Sequence, residues 1–168
     1  GVSPVVAINA FPTDHPSEHA VIREIAESLG ARVAVCTHFS DGGAGAVELA
    51  QAVVEACEEP NGFHLLYPDS VSLKEKIEIV ATTIYGAANV EYSDLANEQL
   101  ATYEANGFSN LPVCIAKTHL SISGDPKLKG APTGHTLTVR EVRASVGAGF
   151  VYPICGDMRT MPGLGTNP

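Results

Sequence analysis

Along the chain, short unbroken apolar runs alternate with longer stretches in which apolar residues return every three or four positions. Pro4-Val-Val-Ala-Ile8 is one such run, too short for a helix, and predicts a buried strand. In HPSEHAVIREIAESLG from His15, Val21/Ile22, Ile25/Ala26 and Leu29 recur at helical spacing, and Gly30 stands where a helix ends. A second strand is expected over Ala31–Val35, then a helix over about Gly45–Ala56 with Ala46, Leu49, Ala50 and Val53 on one face. Phe63–Tyr67 reads as a third strand. Ser72 and Glu75 have capping-box spacing at the head of a helix that keeps Ile77, Val80 and Ile84 inward. A short NVEYS segment, a helix over about Asp94–Ala105 closing at Gly107, a strand over Leu111–Lys117 and strand-like runs over His135–Val142 and Gly147–Cys155 follow. MPGLG, Met161 to Gly165, is expected as an irregular tail over the site face.

Strands alternating with helices of about a dozen residues imply right-handed βαβ units, hence an α/β fold whose mostly parallel sheet carries helices on both faces. Ligands of such sheets bind at the carboxyl ends of the strands. Two of the expected strand ends run into a phenylalanine: NAFPTDH places Phe11 after the first, and CTHFSDGGAG places Phe39 after the second. Two aromatic lips on neighbouring strand ends make a slot for something flat. Lys117 also closes a strand, and the long loop from Thr118 to Gly134, with Lys127 and Lys129, has the length of a functional or mobile loop.

Composition narrows the field. With 168 residues and 45% hydrophobic content the chain can bury a core as one domain or as part of something larger. No apolar run approaches the about 18 residues of a membrane span, and the opening Gly-Val-Ser-Pro lacks the regions of a leader, so a cytoplasmic location is expected. Net charge −9 argues against nucleic acid as a partner. Residues 1–116 carry a net −12 and residues 117–168 a net +3, which favours an anionic small molecule or acidic neighbour near the second stretch, or reflects charges clustered in loops. Of its basic residues, Arg140 and Arg143 are read as binding an anion or pairing with the acidic first stretch, and pairing is favoured because interior arginines are usually partnered. The widely spaced Cys36, Cys57, Cys114 and Cys155 read as free buried thiols in a reducing compartment.

The candidate chemistry is mostly exclusion. His15 and His19 stand four apart but straddle a helix start with no third ligand near, so no metal site is expected. No GxSxG elbow supports a hydrolase. The glycine turn Gly42–Gly45 opens a helix, where backbone N–H groups meet an anion or simply allow tight packing. Asn9 and Asp14 after a buried strand, with a glycine-rich turn one βα unit later, resemble the base-recognition half of P-loop nucleotide hydrolases. No GxxxxGK[ST] occurs, so the chain has no cradle of its own for a triphosphate.

The blocks VVAINAFPTD, HFSDGGAGAVELA, SLKEKIEIVATTIYGA, LPVCIAKTHLSIS, PTGHTLTVREVRASVGAGFVYP and TMPGLGTNP together resemble, in order, the carboxyl-terminal portion of formate–tetrahydrofolate ligase. The resemblance covers residues 1–168 and implies the folate-binding portion of a P-loop-hydrolase-like enzyme, with the amino-terminal phosphate-loop portion as its partner. It implies ATP-dependent ligation of formate to tetrahydrofolate through formyl phosphate. ATP, Mg and a monovalent cation would serve the full-length enzyme, itself a possible homo-oligomer, with the phosphate-loop, formate and cation residues outside this span. It also implies that the pterin lies between Phe11 and Phe39, the latter standing where the family usually has tryptophan, with Pro12, Asp14, Gly42 and Gly43 contributing from the same blocks. Asn9, Lys117 and Thr118 are further polar candidates. A non-catalytic folate- or nucleotide-binding module, and a structural or oligomer-forming domain whose aromatic lips touch another chain, remain as alternatives.

Overall fold

The structure, a computed structural model, describes residues 1–156, so the Met161–Gly165 tail lies outside the described residues. The chain divides into two compact units, Gly1–His64 and the portion from Leu65 onward.

In the first unit, β1 (Val5–Asn9) and β2 (Arg32–Cys36) pair in parallel from Val5 opposite Arg32 to Asn9 opposite Cys36. The ladder runs past both ends, with Arg32 N–H donating to the Pro4 carbonyl (3.1 Å) and Ala10 N–H to that of Cys36 (2.9 Å). Between them, α1 (Pro16–Ser28) starts on a capping box: the His15 ring accepts from Ser17 N–H (3.3 Å) and the Glu18 carboxylate from His15 N–H (2.8 Å). A one-turn helix α2 (His38–Asp41) and a 3₁₀ turn (Gly42–Ala46) lead into α3 (Val47–Glu58). The glycine run thus forms a tight turn ahead of α3 instead of its first turn. Only small or strand-borne apolar residues are buried here: Ile8, Ala10, Ala26, Ala34 and Cys36. The stripe expected to face inward on α1 is exposed at Val21, Ile22, Ile25 and Leu29, as is Val53 on α3.

No strand forms over 63–67. Local bonds take the place of a ladder: Phe63 N–H donates to the Asn61 side chain (3.2 Å) and the His64 ring to the Gly62 carbonyl (2.9 Å).

The second unit holds a three-stranded sheet in the order β3 (Asn89–Tyr92), β4 (Thr136–Ser145), β5 (Phe150–Cys155), parallel between β3 and β4 and antiparallel between β4 and β5. The described strands are therefore a parallel pair and a mixed sheet within an α/β fold. Helices α4 (Leu73–Thr83) and α5 (Asp94–Ala105) bury Leu73, Ile77, Ala81, Ala96 and Leu100 against Leu137, Val139, Val142, Val151 and Cys155. On α4, Ile77 is buried as expected, whereas Ile84, past the helix end, is 54% exposed.

The expected strand over 111–117 lies along β5 in parallel, bridging Val113 to Val151 and Ala116 to Ile154. Cys114 N–H donates to Val151, Ala116 N–H to Pro153 and Cys155 N–H to Ala116. The regular pattern next requires residue 153 to donate to Cys114, and proline has no N–H to give. The ladder is interrupted at that one bond.

Candidate functional site

The site grows from the register of the parallel pair. Asn9 lies opposite Cys36, so two chain segments leave the sheet side by side at its carboxyl end. The first turns at once: Asp14 N–H donates to the Phe11 carbonyl (3.0 Å), a β-turn with Pro12 in the position that favours its fixed φ. The Asp14 carboxylate accepts from Phe11 N–H (2.8 Å) and faces His19 Nε2 (3.3 Å). The Phe11 amide, then His19, hold the Asp14 carboxyl below its ordinary value. Asp14 therefore sets the turn that carries Phe11. With Asn9 and His19 it also lines a cavity of ≈ 340 Å³ beside β1.

The second segment is folded by its glycines. Thr37 donates its hydroxyl to Asp41 (2.7 Å) and its N–H to the Gly45 carbonyl (2.9 Å). A Cβ on Gly45 would stand 2.5 Å from Thr37 Oγ1 and 2.6 Å from its carbonyl carbon. Gly42 has φ 58° and ψ −141°, a region closed to side-chain-bearing residues. Gly43 has open space where a Cβ would be. Phe39 rides on the single turn between Thr37 and these glycines, and Cys36 Sγ lies 3.1 Å from His38 Nδ1 beneath it.

Phe11 and Phe39 meet with ring centroids 5.0 Å apart and planes tilted by 50°. They are 42% and 67% exposed, so neither is a core residue of the described chain. A flat heterocycle between them needs one van der Waals spacing on each side, about 7–8 Å between ring planes. The lips are closed on each other, in a pair of the kind worth about 0.5–1.5 kcal/mol.

Lys117 and Thr118 belong to the second unit. The Lys117 ammonium donates to the carbonyls of Thr118 (3.2 Å) and Ser121 and sits 5.1 Å from the Tyr85 ring centroid. Thr118 Oγ1 accepts from Leu120 N–H (3.2 Å). These contacts pin the start of the long loop, and burial pushes the Lys117 pKa down. Arg143 makes a two-point pair with Glu141 (2.6 and 3.2 Å), a partner from its own strand. All four cysteines are free, but Cys57 and Cys114 are exposed: Cys57 lies on α3, which buries no residue, and Cys114 alternates with the inward Val113 and Ile115.

Sequence reasoning missed Lys76. It sits fully buried in α4 with its ammonium on the carbonyls of Ser109 (2.6 Å) and Leu111 (3.0 Å), and its pKa is pushed down by burial. The only signal was its place next to Ile77 on the inward face of the predicted helix. Among the described residues no three His, Cys, Asp or Glu side chains gather as a metal site, and no helix is long and apolar enough to cross a membrane.

The family model for formate–tetrahydrofolate ligase matches residues 1–168. Among curated proteins, the formate–tetrahydrofolate ligase of Saccharopolyspora erythraea is 69% identical over 168 residues, covering 100% of this chain and 30% of that protein. Those of Herpetosiphon aurantiacus and Cutibacterium acnes are 60% and 57% identical, again over 100% of this chain and 30% of theirs. The chain thus spans less than a third of the length of these relatives.

Proposed function

The chain belongs to the formate–tetrahydrofolate ligase family, and from that premise we propose that it is the carboxyl-terminal, pterin-holding portion of a longer ATP-dependent ligase that joins formate to tetrahydrofolate. One observation carries the reading: two exposed phenylalanines, brought into contact by the parallel register of β1 and β2, stand at the strand ends where sheet ligands bind. The β1–α1–β2 unit fits the mostly parallel, P-loop-hydrolase-like sheet proposed for the whole enzyme.

In the proposed reaction a formate oxygen attacks the γ-phosphorus of ATP, ADP leaves, and formyl phosphate forms. N10 of tetrahydrofolate then attacks the formyl carbon, phosphate departs with the bonding pair, and N10 loses its proton. The residues of this chain serve the second half. Phe11 and Phe39 separate, admit the pterin and stack on its two faces, each worth about 1–3 kcal/mol. Asp14 and the glycine turn keep the lips on rigid supports. The chain has no phosphate-loop motif and no carboxylate cluster among its described residues, so it does not fit a nucleotide–Mg site or a cation site. The same proposal assigns those sites to the polypeptide outside this span.

Calorimetric titration of the chain with tetrahydrofolate and, separately, with ATP tests the reading. Heat with tetrahydrofolate alone is expected, together with no formate-dependent ATP turnover. Binding of ATP but not tetrahydrofolate would overturn it in favour of a nucleobase site.

A further inference from the structure

Each lip stands on a turn, and the two turns are held differently. That of Phe39 is tied down by Thr37, which donates its N–H to the Gly45 carbonyl (2.9 Å) and its hydroxyl to Asp41 (2.7 Å). That of Phe11 is closed on itself: Asp14 N–H returns to the Phe11 carbonyl (3.0 Å), and Phe11 N–H donates to Asp14 Oδ2 (2.8 Å). Bonds inside a turn fix its shape but not its angle to the sheet. Among the described residues one side-chain hydrogen bond leaves this turn, between Asp14 Oδ2 and His19 Nε2 (3.3 Å). An ionised carboxylate only accepts, so Nε2 carries the proton of that bond. His19 lies in α1, and that helix is seated elsewhere: Ala26 is buried, and Arg23 donates to the Val33 carbonyl (3.2 Å) on β2.

We infer that His19 is a positioning residue for the folate platform: its bond to Asp14 sets the angle at which Phe11 meets Phe39, and with it the geometry of the slot. It acts through Asp14 and the Phe11 amide, not by contact with the pterin. Both bonds fall on one oxygen, Oδ2. One bond alone leaves the carboxylate free to swing about it, and the second removes that freedom. The two side chains are 30% and 25% exposed, which shelters the bond in part from water. The neighbouring histidine has a different task, since the His15 ring accepts from Ser17 N–H (3.3 Å) in the cap of α1. A spacing that would suit a metal thus serves two separate hydrogen bonds. The consequence for folate rests on the pterin reading, whereas the hold on the turn does not.

The test compares His19→Leu, which keeps bulk and loses the donor, with His19→Gln, whose amide N–H can replace that of the ring, in the full-length enzyme that contains the chain. Hydrogen exchange without folate reads the turn. The Phe11 amide should exchange faster in the leucine variant and at the parental rate in the glutamine variant. Titration calorimetry with tetrahydrofolate reads the slot: His19→Leu should weaken binding roughly threefold to tenfold, the scale of one net hydrogen bond, and His19→Gln should restore it. In a Phe11→Ala background the leucine substitution should have no further effect, because no ring is left to place. Parental exchange at Phe11 in the leucine variant, a loss that glutamine does not restore, or an equal loss in the Phe11→Ala background would overturn the inference. A parent enzyme that binds no tetrahydrofolate would strike the pterin reading instead, and the exchange measurement would still decide whether His19 holds the turn.

Discussion

Removing the two phenylalanines one at a time and together should give losses of folate affinity that do not add. With the rings closed at 5.0 Å, pterin entry on the proposed reading would first break their mutual contact, about 1 kcal/mol, and then gain about 2 kcal/mol per stacked ring. The pair thus contributes about 3 kcal/mol net. After Phe39→Ala one platform remains and no contact has to be broken, so about 2 kcal/mol survives and the loss is about 1 kcal/mol, roughly fivefold in Kd. Phe11→Ala behaves alike. The double variant loses all of it, about 3 kcal/mol or roughly 150-fold, more than the two single losses combined. Titration calorimetry of the full-length enzyme with tetrahydrofolate measures the cycle, with ATP affinity as control and melting temperature as a check, since Phe39 is 67% exposed. Additive losses of about 2 kcal/mol each would mean rings already apart and would refute the closed-lip account. A collapse in stability near the about 3–5 kcal/mol of a core phenylalanine, or an unchanged folate constant in the double variant, would refute the clamp itself.

Gly45→Ala should cost about 1–3 kcal/mol of stability and weaken folate binding with it, because the new methyl meets the Thr37 backbone that carries Phe39; urea melts and titration on one sample check both. Lys76→Met keeps the aliphatic stem but strands the carbonyls of Ser109 and Leu111, and a loss of about 2–4 kcal/mol in chemical denaturation is expected. Glu59, bonded to Arg32 and Ser3, has its carboxyl pulled down from 4.5 to about 2. A depressed folded pKa stabilises above the unfolded value and is lost as pH falls through the folded one. Glu59→Gln should therefore show a shallower fall of melting temperature than the parent between pH 4.5 and 2, and parallel curves would count against the pairing. Phe39→Trp should hold or tighten folate, read by the same calorimetry.

Much of this was legible because the signals are local. Ser72 with Glu75, and Gly30 and Gly107 at helix ends, depend on neighbours a few residues away, and those elements formed where expected. The meeting of Phe11 and Phe39 was legible too, since a phenylalanine after each of two strands needs only the parallel register to be brought together. What depended on distant partners was not. The α1 stripe has correct helical spacing but no cover among the described residues, since spacing says which face is apolar and not what meets it. The antiparallel turn of β5 against β4 depends on a hairpin through Gly149, at φ 76°, which alternation alone does not reveal. Lys76 was missed because its partners are carbonyls 33 and 35 residues away. The extended segment over 111–117 was read correctly as extended, but its interruption is written in Pro153, on another strand.

The stretch between α3 and α4 governs how the chain would come apart under limited digestion. On one side Gly62 N–H is tied to the Gly1 carbonyl (2.8 Å), and on the other the Tyr67 hydroxyl accepts from Val113 N–H (3.1 Å). Between these anchors lie Phe63, Leu65 and Leu66, exposed and outside any helix or strand, where a protease that selects large apolar side chains finds both its preferred residues and backbone free to enter its cleft. A cut there leaves each fragment with its own terminal anchor in place.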